Sequence, residues 1–490
     1  MHLSEMCTPE TGDLLGCSNP VITGVSADSR SVRPGYLFVA IKGDKNDGNG
    51  FISDAAIRGA SAILAREGTE LPSDASHLPL VLARDPRHSL ALCAAKYFKG
   101  QPENLAAVTG TNGKTSVAWF TESIWSNLGH RAASLGTLGV QVDKKKIQNN
   151  GNLTTADPVC LHESLNTLYK QGLTHAVIEA SSHGLEQRRL DGLELKAGAF
   201  TNLSHEHLDY HISMANYALA KRRLFDSLVP RGGTAVINAD TKIFSEWAKI
   251  CQSRRLKIIS YGRESNELKL IQTRPNLEGQ ALKLEVFGKP CEVPIPIFGS
   301  FQAENILCAI GLVIALGDDP ERILAVLPNL SAPPGRMQLT SATPAGAKIF
   351  IDYAHTPDAL NNALRSLRPY APGKLGLVFG CGGDRDPGKR PQMGQIAKKN
   401  CDFVIVTDDN PRNESAGGIR AQIMLGCPGA RNIGDRSTAI KEGIDLLSQG
   451  DVLLVAGKGH ETNQLVGENS TPFDDREVIQ TIINQIGRSE

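Results

Sequence analysis

Residues 105–116 read LAAVTGTNGKTS, an apolar run followed by a glycine-hinged turn that carries a lysine and two hydroxyl residues. Backbone N–H groups of such a turn point at anionic oxygens, the lysine adds a positive charge, and a hydroxyl can ligate Mg²⁺. The usual spacing places a glycine five residues before Gly113, where this chain has Val108, and the nearest glycine is Gly110. The pattern predicts a nucleoside triphosphate site. The alternative is an ordinary glycine-rich turn between a strand and a helix.

Composition narrows the possible partners. The 490 residues include 52 Lys and Arg against 52 Asp and Glu, so no global field attracts nucleic acid or an anionic membrane. Ten cysteines without a C-x-x-C pair argue against a disulfide framework or a zinc module and fit a reducing cytoplasm. The start, MHLSEMCTPETGD, has no secretory signal pattern, and the apolar stretch 306–317 is too short to span a bilayer. We expect a cytoplasmic protein that binds neither nucleic acid nor membrane.

Proline-rich seams near Pro102 and at 333–335 separate three blocks, the number that the chain length suggests. In the middle block apolar strands alternate with helical segments such as Val117 to Leu128, which is typical of parallel β-α-β units with helices on both faces. The alternating residues 282–297 indicate a small antiparallel addition. We predict an α/β fold with a small N-terminal α/β domain (1–103), a central P-loop ATPase domain with a parallel sheet (104–332), and a C-terminal Rossmann-like α/β domain (333–490).

Acids and histidines follow two strands of the middle block, at the edge where open α/β sheets bind ligands. Glu179 ends one apolar strand. The segment TNLSHEHLDYH after another strand contains His205, Glu206, His207, Asp209 and His211. Both segments are candidate metal sites: three histidines with two acids suit zinc, whereas a triphosphate site favours oxygen ligands and Mg²⁺. A polar loop with incidental histidines is the alternative.

The predicted helix 214–227 carries Lys221, Arg222 and Arg223 in succession. Neighbouring residues diverge by about 100° around a helix, so these three side chains cannot all face one ligand. The residues alone favour a solvated basic face.

Three loops of the last block follow predicted strands of one sheet and therefore share an edge. They read FGCGGDRDPGKRP, TDDNPRNE and AGKGHET. Each alone is only a polar turn. Together their guanidinium groups suit carboxylates and their carboxylates suit ammonium groups, which predicts a site for a zwitterionic amino acid.

Nine motifs together resemble the Mur ligase family: GTNGKTS, EASSHGLEQRRL, TNLSHEHLDYH with Lys221, IFGSFQAEN, PPGRM, DYAHTPDAL, GCGGDRD, DNPR and GKGHE. The resemblance runs from Ser26 to Glu461. One departure is that the family's GxFNxxN reads GSFQAEN, so Gln302 replaces an asparagine while Asn305 remains. A second is Leu153, where some members carry an asparagine that faces the dipeptide substrate.

The resemblance implies a monomeric, three-domain, ATP-dependent and Mg²⁺-dependent ligase that adds meso-2,6-diaminopimelate to UDP-N-acetylmuramoyl-L-alanyl-D-glutamate through an acyl phosphate. It also implies that Lys221 is carbamylated, an anion able to hold a second Mg²⁺, and that Arg412 holds the distal carboxylate of diaminopimelate. The implied catalytic residues are Lys114, Glu179, His207 and Lys221, and the implied metal ligands are Thr115, Glu179, His207 and Lys221.

The resemblance further implies contacts to each substrate. For ATP these are Gly110, Thr111, Asn112, Gly113, Lys114, Thr115, Ser116, Asn305, Arg336 and Asp352. For the uridine end of the acceptor they are Ala27, Ser29, Asp44, Lys45 and Asn46, and for its muramoyl dipeptide Thr154, Thr155, Ser181, Gln187 and Arg189. For diaminopimelate they are Arg385, Asp409, Asn410, Pro411, Arg412, Gly457 and Glu461.

Three other functions fit parts of the pattern. Folylpolyglutamate synthetase shares the phosphate loop and the carbamylated lysine, but it should not show DNPR beside GCGGDRD. A nucleotide-gated binding protein would not need the intact set of catalytic residues. A P-loop kinase would not need three domains with an amino acid pocket.

Overall fold

The computed structural model describes residues 1–15, 18–43, 46–143, 145–148 and 153–489. Two compact units make up the chain, one comprising Met1–Ile259 with Gly311–Asp318 and the other Ser260–Ile310 with Asp319–Glu490. The proposed uridine contacts Asp44 and Lys45 lie outside the described residues. The three domain boundaries given above stay a prediction.

The first hundred residues form a five-stranded sheet with short helices. Its elements are α1 (Leu3–Met6), β1 (Asp13–Leu15), β2 (Gly24–Ser26), β3 (Tyr36–Val39), α2 (Ile52–Ile57), β4 (Ala62–Arg66), β5 (Leu80–Ala83) and α3 (Pro86–Tyr97). The strand order is β1-β5-β4-β3-β2, and only β1 is antiparallel to its neighbour. α3 begins where the Asp85 carboxylate accepts the N–H groups of Arg87 and His88, with Pro86 at its first position.

The rest of the first unit is built on a mostly parallel sheet. Its elements are β6 (Asn104–Thr109), α4 (Lys114–Asn127), β7 (Ala132–Gly136), β8 (Gly139–Val142), β9 (Lys145–Gln148), α5 (Pro158–Lys170), β10 (His175–Glu179), α6 (Ser182–Glu186), β11 (Ala197–Phe200), α7 (Leu208–His211), α8 (Met214–Arg223), β12 (Thr234–Asn238) and α9 (Phe244–Ser253). The strands run in the order β12-β11-β6-β10-β7-β8-β9, and β8 pairs antiparallel with both β7 and β9.

Register in this sheet determines which loops meet. Glu179 at the end of β10 lies opposite Val108 of β6, and Phe200 at the end of β11 lies opposite Thr109. β6 and β10 are almost wholly buried, as expected for parallel strands covered on both faces. The loops that follow these three strands therefore start side by side.

The second unit contains the antiparallel addition and a second parallel sheet. Two elements, β13 (Lys257–Gly262) and α10 (Ser300–Ala315), have residues in both units. The other elements of the second unit are β14 (Leu268–Asn276), β15 (Gly279–Val286), β16 (Lys289–Ile295), α11 (Pro320–Val326), β17 (Gln338–Ala342), β18 (Lys348–Asp352), α12 (Pro357–Leu367), β19 (Leu375–Phe379), α13 (Lys389–Asn400), β20 (Phe403–Val406), α14 (Ala416–Met424), β21 (Arg431–Asn432), α15 (Arg436–Asp445), β22 (Val452–Ala456), β23 (Asn463–Val466), β24 (Asn469–Pro472) and α16 (Asp475–Ser489). The parallel sheet has the order β17-β18-β22-β19-β20-β21, with β17 alone antiparallel.

The α/β class and the antiparallel addition at 282–297 are confirmed, because β15 and β16 pair antiparallel there. Two helix boundaries differ from the prediction. α4 begins at Lys114 rather than at Val117, since the left-handed Gly113 (φ +90°) turns the chain directly into the helix. The predicted helix 214–227 is α-helical to Arg223 and continues as a π-helical turn over Leu224–Leu228. Within the described residues, no helix is both long and apolar enough to cross a bilayer.

A buried histidine in α5 has a pKa that bears on the acid stability of the first unit. His162 in α5 is buried, and its Nε2 lies 3.1 Å from the backbone oxygen of Asp191. Burial lowers the pKa of His162 to about 4. Its neutral ring is therefore part of the folded state at neutral pH.

We expect His162→Gln to reduce the loss of stability between pH 6.5 and pH 4. The unfolded histidine binds a proton below its ordinary pKa and the folded one does not, so stability is retained above pH 6.5 and falls as the pH decreases. Over that window the unaltered chain should lose roughly 2 kcal/mol more unfolding free energy than the variant. Urea unfolding followed by tryptophan fluorescence measures this, because all three tryptophans lie in the first unit. The exposed His77→Gln is the control, and equal losses in both variants would contradict the expectation.

Candidate active site

The phosphate loop is a tight turn tied to the loop after β11. Gly110 adopts φ +151°, and a Cβ there would overlap Thr201 Oγ1. Asn112 donates its backbone N–H to Asn202 Oδ1 (2.9 Å), and Thr201 Oγ1 donates to the Asn112 carbonyl (2.6 Å). Gly113 sits at the N-cap of α4. Glycine at 110 is required by this close approach, although it lies outside the usual spacing.

The phosphate-binding residue types lie in the first turn of α4. Lys114, Thr115 and Ser116 begin this 14-residue helix, whose N-terminal N–H groups and dipole favour anions. The Lys114 ammonium donates to the carbonyls of Gly110 and Thr111, both at 2.8 Å. The Lys114 ammonium is therefore held against the backbone of the phosphate loop that precedes α4.

Glu179 presents a buried carboxylate to this helix. Its Oε2 accepts hydrogen bonds from Thr115 Oγ1 (2.9 Å) and Thr137 Oγ1 (3.2 Å), and its Oε1 accepts from the Thr137 N–H (2.8 Å). A Cβ at Gly136 would overlap this carboxylate. These three hydrogen bonds fix the acid at the carboxyl end of β10, beside the Thr115 hydroxyl.

Lys221 is buried against the same loop. Its side chain is 1% exposed, and its Nζ donates to the Gly110 carbonyl at 2.7 Å and lies 4.3 Å from the centre of the Tyr217 ring. Burial, and then the Lys114 charge, hold the pKa of Lys221 well below its usual range. The site favours the neutral, nucleophilic form of this amine.

The other two basic residues of α8 point elsewhere, as the helical angle predicts. Arg222 pairs with Asp226 on its own helix at 2.9 Å, and Arg223 pairs with the buried Asp191 at 2.7 Å. The solvated basic face that the residues alone favoured is therefore wrong for Lys221.

His207 lies on the loop that carries the predicted metal ligands. It adopts φ +56° just before α7, and its side chain is partly exposed. Its ring meets the His183 ring edge-on at 4.9 Å, and its Nε2 lies 3.9 Å from Glu206. The Glu179 carboxylate and the Thr115 hydroxyl are hard oxygen donors, so the donor set beside the phosphate loop fits Mg²⁺ better than zinc.

The residues proposed for the dipeptide form a connected hydrogen-bond chain. Thr155 Oγ1 donates to the Glu179 carbonyl (2.7 Å) and accepts from the Ser181 N–H (2.9 Å). Arg189 donates to the Thr155 carbonyl (2.6 Å) and to Gln187 Oε1 (2.7 Å). This series of hydrogen bonds connects Arg189, through Thr155, to the Glu179 backbone.

The first unit also contains the remaining proposed contacts to the acceptor, one near Glu179 and the others near the N-terminus. Thr154 Oγ1 lies 3.2 Å from Thr137 Oγ1, the hydroxyl that donates to the Glu179 carboxylate. Ala27 and Asn46 are exposed on the N-terminal domain, and Ser29 is buried at the start of a 3₁₀ turn. Leu153, to which we assigned no polar role, is partly exposed.

Sequence reasoning missed two residues of this site. Thr137 supplies two of the bonds to Glu179, and Tyr217 underlies Lys221 while its hydroxyl lies 3.1 Å from Thr111 Oγ1. Thr137 follows β7, the neighbour of β10, so its position at a strand's carboxyl end was the available signal. No sequence signal pointed to Tyr217, because it resembles any other residue of a helix.

In the second unit, the three remaining proposed nucleotide contacts belong to one network. Asn305 donates to Gln302 Oε1 (2.8 Å), and Gln302 reaches the Arg336 carbonyl (3.4 Å). Asp352 accepts the backbone N–H groups of Met337 (2.6 Å) and Ala354 (2.8 Å). Gln302, which replaces the family's asparagine, therefore accepts a hydrogen bond from Asn305. Burial raises the pKa of Asp352, and Arg336 opposes that rise.

The loops after β19, β20 and β22 lie together, because these strands are neighbours in the order β22-β19-β20. Asn410 Nδ2 donates to Glu461 Oε2 at 2.7 Å, and the Asn410 N–H donates to Asp409 Oδ1 at 2.6 Å. A Cβ at Gly457 would lie 2.5 Å from Asp409 Oδ2. Burial, and then Asp409, raise the pKa of Glu461. Two carboxylates thus lie close together, an arrangement that attracts an ammonium group.

Arg412 lies on the same loop as Asp409 and Asn410. It adopts φ +50°, its N–H donates to the Leu465 carbonyl (3.0 Å), and its guanidinium donates to the Gly383 carbonyl (2.9 Å). Pro411 before it is buried, and Arg385 is exposed on the loop after β19. The guanidinium of Arg412 thus contacts the loop after β19.

Family models match the chain in three segments. The Mur ligase family catalytic domain matches residues 21–107, the Mur ligase middle domain residues 108–313, and the Mur ligase glutamate ligase domain residues 335–459.

Individual relatives match nearly end to end. Enzymes named UDP-N-acetylmuramoyl-L-alanyl-D-glutamate--2,6-diaminopimelate ligase are 48% identical over 462 residues in Bradyrhizobium diazoefficiens (94% of each chain) and 46% identical over 464 residues in Mesorhizobium japonicum (95% of each chain). A solved structure of an enzyme of that name is 34% identical, covers 95% of both chains and superposes with a TM-score of 0.69. From these matches, the chain belongs to the Mur ligase family.

Proposed function

We propose that the chain is an ATP-dependent ligase that joins meso-2,6-diaminopimelate to UDP-N-acetylmuramoyl-L-alanyl-D-glutamate during peptidoglycan precursor synthesis. The observation that carries this proposal is the identity of about one half, over some 94% of each chain, with enzymes of that name. On this proposal the enzyme works as a monomer in the cytoplasm, with Mg²⁺ as its metal and without nucleic acid or membrane.

The reaction must overcome the poor electrophilicity of a carboxylate. Transfer of the ATP γ-phosphoryl group to the D-glutamate carboxylate forms a carboxyl O–P bond, breaks the bond to ADP and gives an acyl phosphate. The diaminopimelate amine then attacks the acyl carbon, loses a proton and expels phosphate as the amide forms. Lys114 and the N-terminus of α4 would stabilise the phosphoryl oxygens as charge develops on them. Exclusion of water protects the acyl phosphate from hydrolysis.

The metal ligands follow from the donor set beside the phosphate loop. Thr115, Glu179, His207 and a carbamate on Lys221 would hold Mg²⁺, which when bound neutralises negative charge on the phosphoryl oxygens. Glu179 is prepared for this role by the two threonines that hold its oxygens.

Carbamylation suits the state of Lys221. A neutral amine attacks CO₂, forms an N–C bond and releases a proton, which converts a buried base into an anion. The burial of Nζ and the Lys114 charge favour the neutral amine that this step requires. The carbamate would carry a negative charge beside the Lys114 ammonium, which attracts it.

We expect the activity to depend on CO₂ through Lys221. In CO₂-depleted buffer the rate of phosphate release should fall, and bicarbonate should restore it. Lys221→Ala should lower kcat by at least about a hundredfold and abolish the response to bicarbonate, because the anion is lost. Arg222→Ala on the same helix, which removes the ion pairs with Asp226 and Glu246, is the matched control. Equal bicarbonate responses in Lys221→Ala and the unaltered chain would contradict the assignment.

The preference of the enzyme for one amino acid substrate over another tests the proposed diaminopimelate pocket. With ATP and the UDP-muramoyl dipeptide, phosphate release should require meso-diaminopimelate and be far slower with L-lysine. Arg412→Ala should lower kcat/KM for diaminopimelate by about ten- to a hundredfold, the effect of losing a charge-assisted hydrogen bond, and should leave the KM for ATP unchanged.

The control for that variant is Arg476→Ala, which removes an exposed arginine paired with Asp474. An unchanged preference for diaminopimelate in Arg412→Ala would contradict the role of Arg412. Phosphate release with a folate and glutamate in place of these substrates would favour the folylpolyglutamate synthetase alternative.

A further inference from the structure

A fully buried lysine, Lys458, lies beneath the proposed amino acid pocket. Its Nζ donates to the Asn463 carbonyl at 2.6 Å and to Asn410 Oδ1 at 3.2 Å, and it lies 3.5 Å from Glu461 Oε2. An ammonium group has three donors and no acceptor, so these three oxygens match its capacity. A lysine buried to this extent is costly unless its charge is compensated.

The lysine determines which way the Asn410 amide faces. Asn410 Oδ1 accepts from Lys458 Nζ and from the Leu465 N–H (3.0 Å), and neither of these groups can accept a hydrogen bond. The oxygen is therefore fixed on that side, and Nδ2 faces Glu461, to which it donates at 2.7 Å. A reversed amide would place two donors against its NH₂ group and an oxygen against the Glu461 carboxylate.

Charge around Glu461 makes the lysine's contribution necessary. Asp409 on the loop after β20 repels a charged Glu461, as does any ionisation of Tyr353 after β18, while Arg436 of α15 and Lys458 attract it. Arg436 is already paired with Asp475, through two bonds of 2.7 Å. Among the residues that the structure describes, Lys458 is the cation in direct contact with Glu461.

We propose that Lys458 is a positioning residue of the amino acid pocket, which orients Asn410 and keeps Glu461 ionised so that both carboxylates meet the ammonium group of the incoming diaminopimelate. This inference rests on the proposed function and adds a residue to its site. Lys458 touches the residues that bind the substrate and acts through them.

The test is the pH dependence of kcat/KM for meso-diaminopimelate in Lys458→Met, which keeps the length of the side chain and removes the charge. Without the ammonium, Glu461 binds a proton at higher pH, so the acid limb of the profile should move up by about one pH unit. At neutral pH kcat/KM for diaminopimelate should fall by about tenfold or more, while the KM for ATP stays within about twofold.

Three companion variants define the outcome. Lys441→Met, which removes an exposed ion pair with Asp445, should leave the profile unchanged. Lys458→Arg keeps the charge and should leave the acid limb in place. In a Glu461→Gln background, Lys458→Met should no longer move the acid limb, because the titrating group is gone. If Lys458→Met does not fold, as judged by circular dichroism, Lys458→Gln must show the same shift.

The results separate the two hypotheses. An acid limb that stays in place in Lys458→Met or Lys458→Gln, or an equal loss in the ATP and diaminopimelate parameters, would overturn the role of Lys458 alone. Failure of the unaltered chain to release phosphate with meso-diaminopimelate would overturn the proposed function, and this inference with it.

Discussion

The parallel register of β6 with β10 and β11 is the constraint on which the site depends. It aligns the ends of the three strands, so the phosphate loop, Glu179 and the Thr201 loop all begin at one edge of the sheet. Gly110 must then lack a side chain, because Thr201 occupies the space where a Cβ would lie. Its carbonyl accepts from Lys114 and from Lys221, which brings the two amines to the same oxygen. A slip of one residue in this register would separate these groups.

Each proposed subsite brings two groups of the same chemical type together. Lys114 and Lys221 share a carbonyl beside the phosphate loop, and burial, with the Lys114 charge, holds the pKa of Lys221 well below its usual range. Burial, and then Asp409, raise the pKa of Glu461 in the amino acid pocket. The Lys114 ammonium favours a polyanion at the first subsite, and the two carboxylates favour an ammonium group at the second. Such preorganised charge costs little rearrangement when the substrates bind.

Much of this arrangement could be predicted from the sequence, because alternating apolar segments determine which strands are parallel and where their loops emerge. Glu179 and the loops around Asn410 and Glu461 could be located for that reason. The burial of Lys221 could not be inferred from residue types, since a run of three basic residues reads as a solvated face; only the resemblance to a family identified it. Thr137 and Tyr217 escaped prediction because their roles arise from contacts between distant segments.

The central claim is that the acceptor carboxylate is activated as an acyl phosphate in the first unit before the amine attacks. Labelling the carboxylates of the D-glutamate residue with ¹⁸O and completing the reaction with ATP and meso-diaminopimelate tests this most directly. Mass spectrometry of the released phosphate should find one labelled oxygen per phosphate, because a carboxylate oxygen leaves with the phosphoryl group. Phosphate free of label, with the ¹⁸O in water or in AMP, would contradict the account.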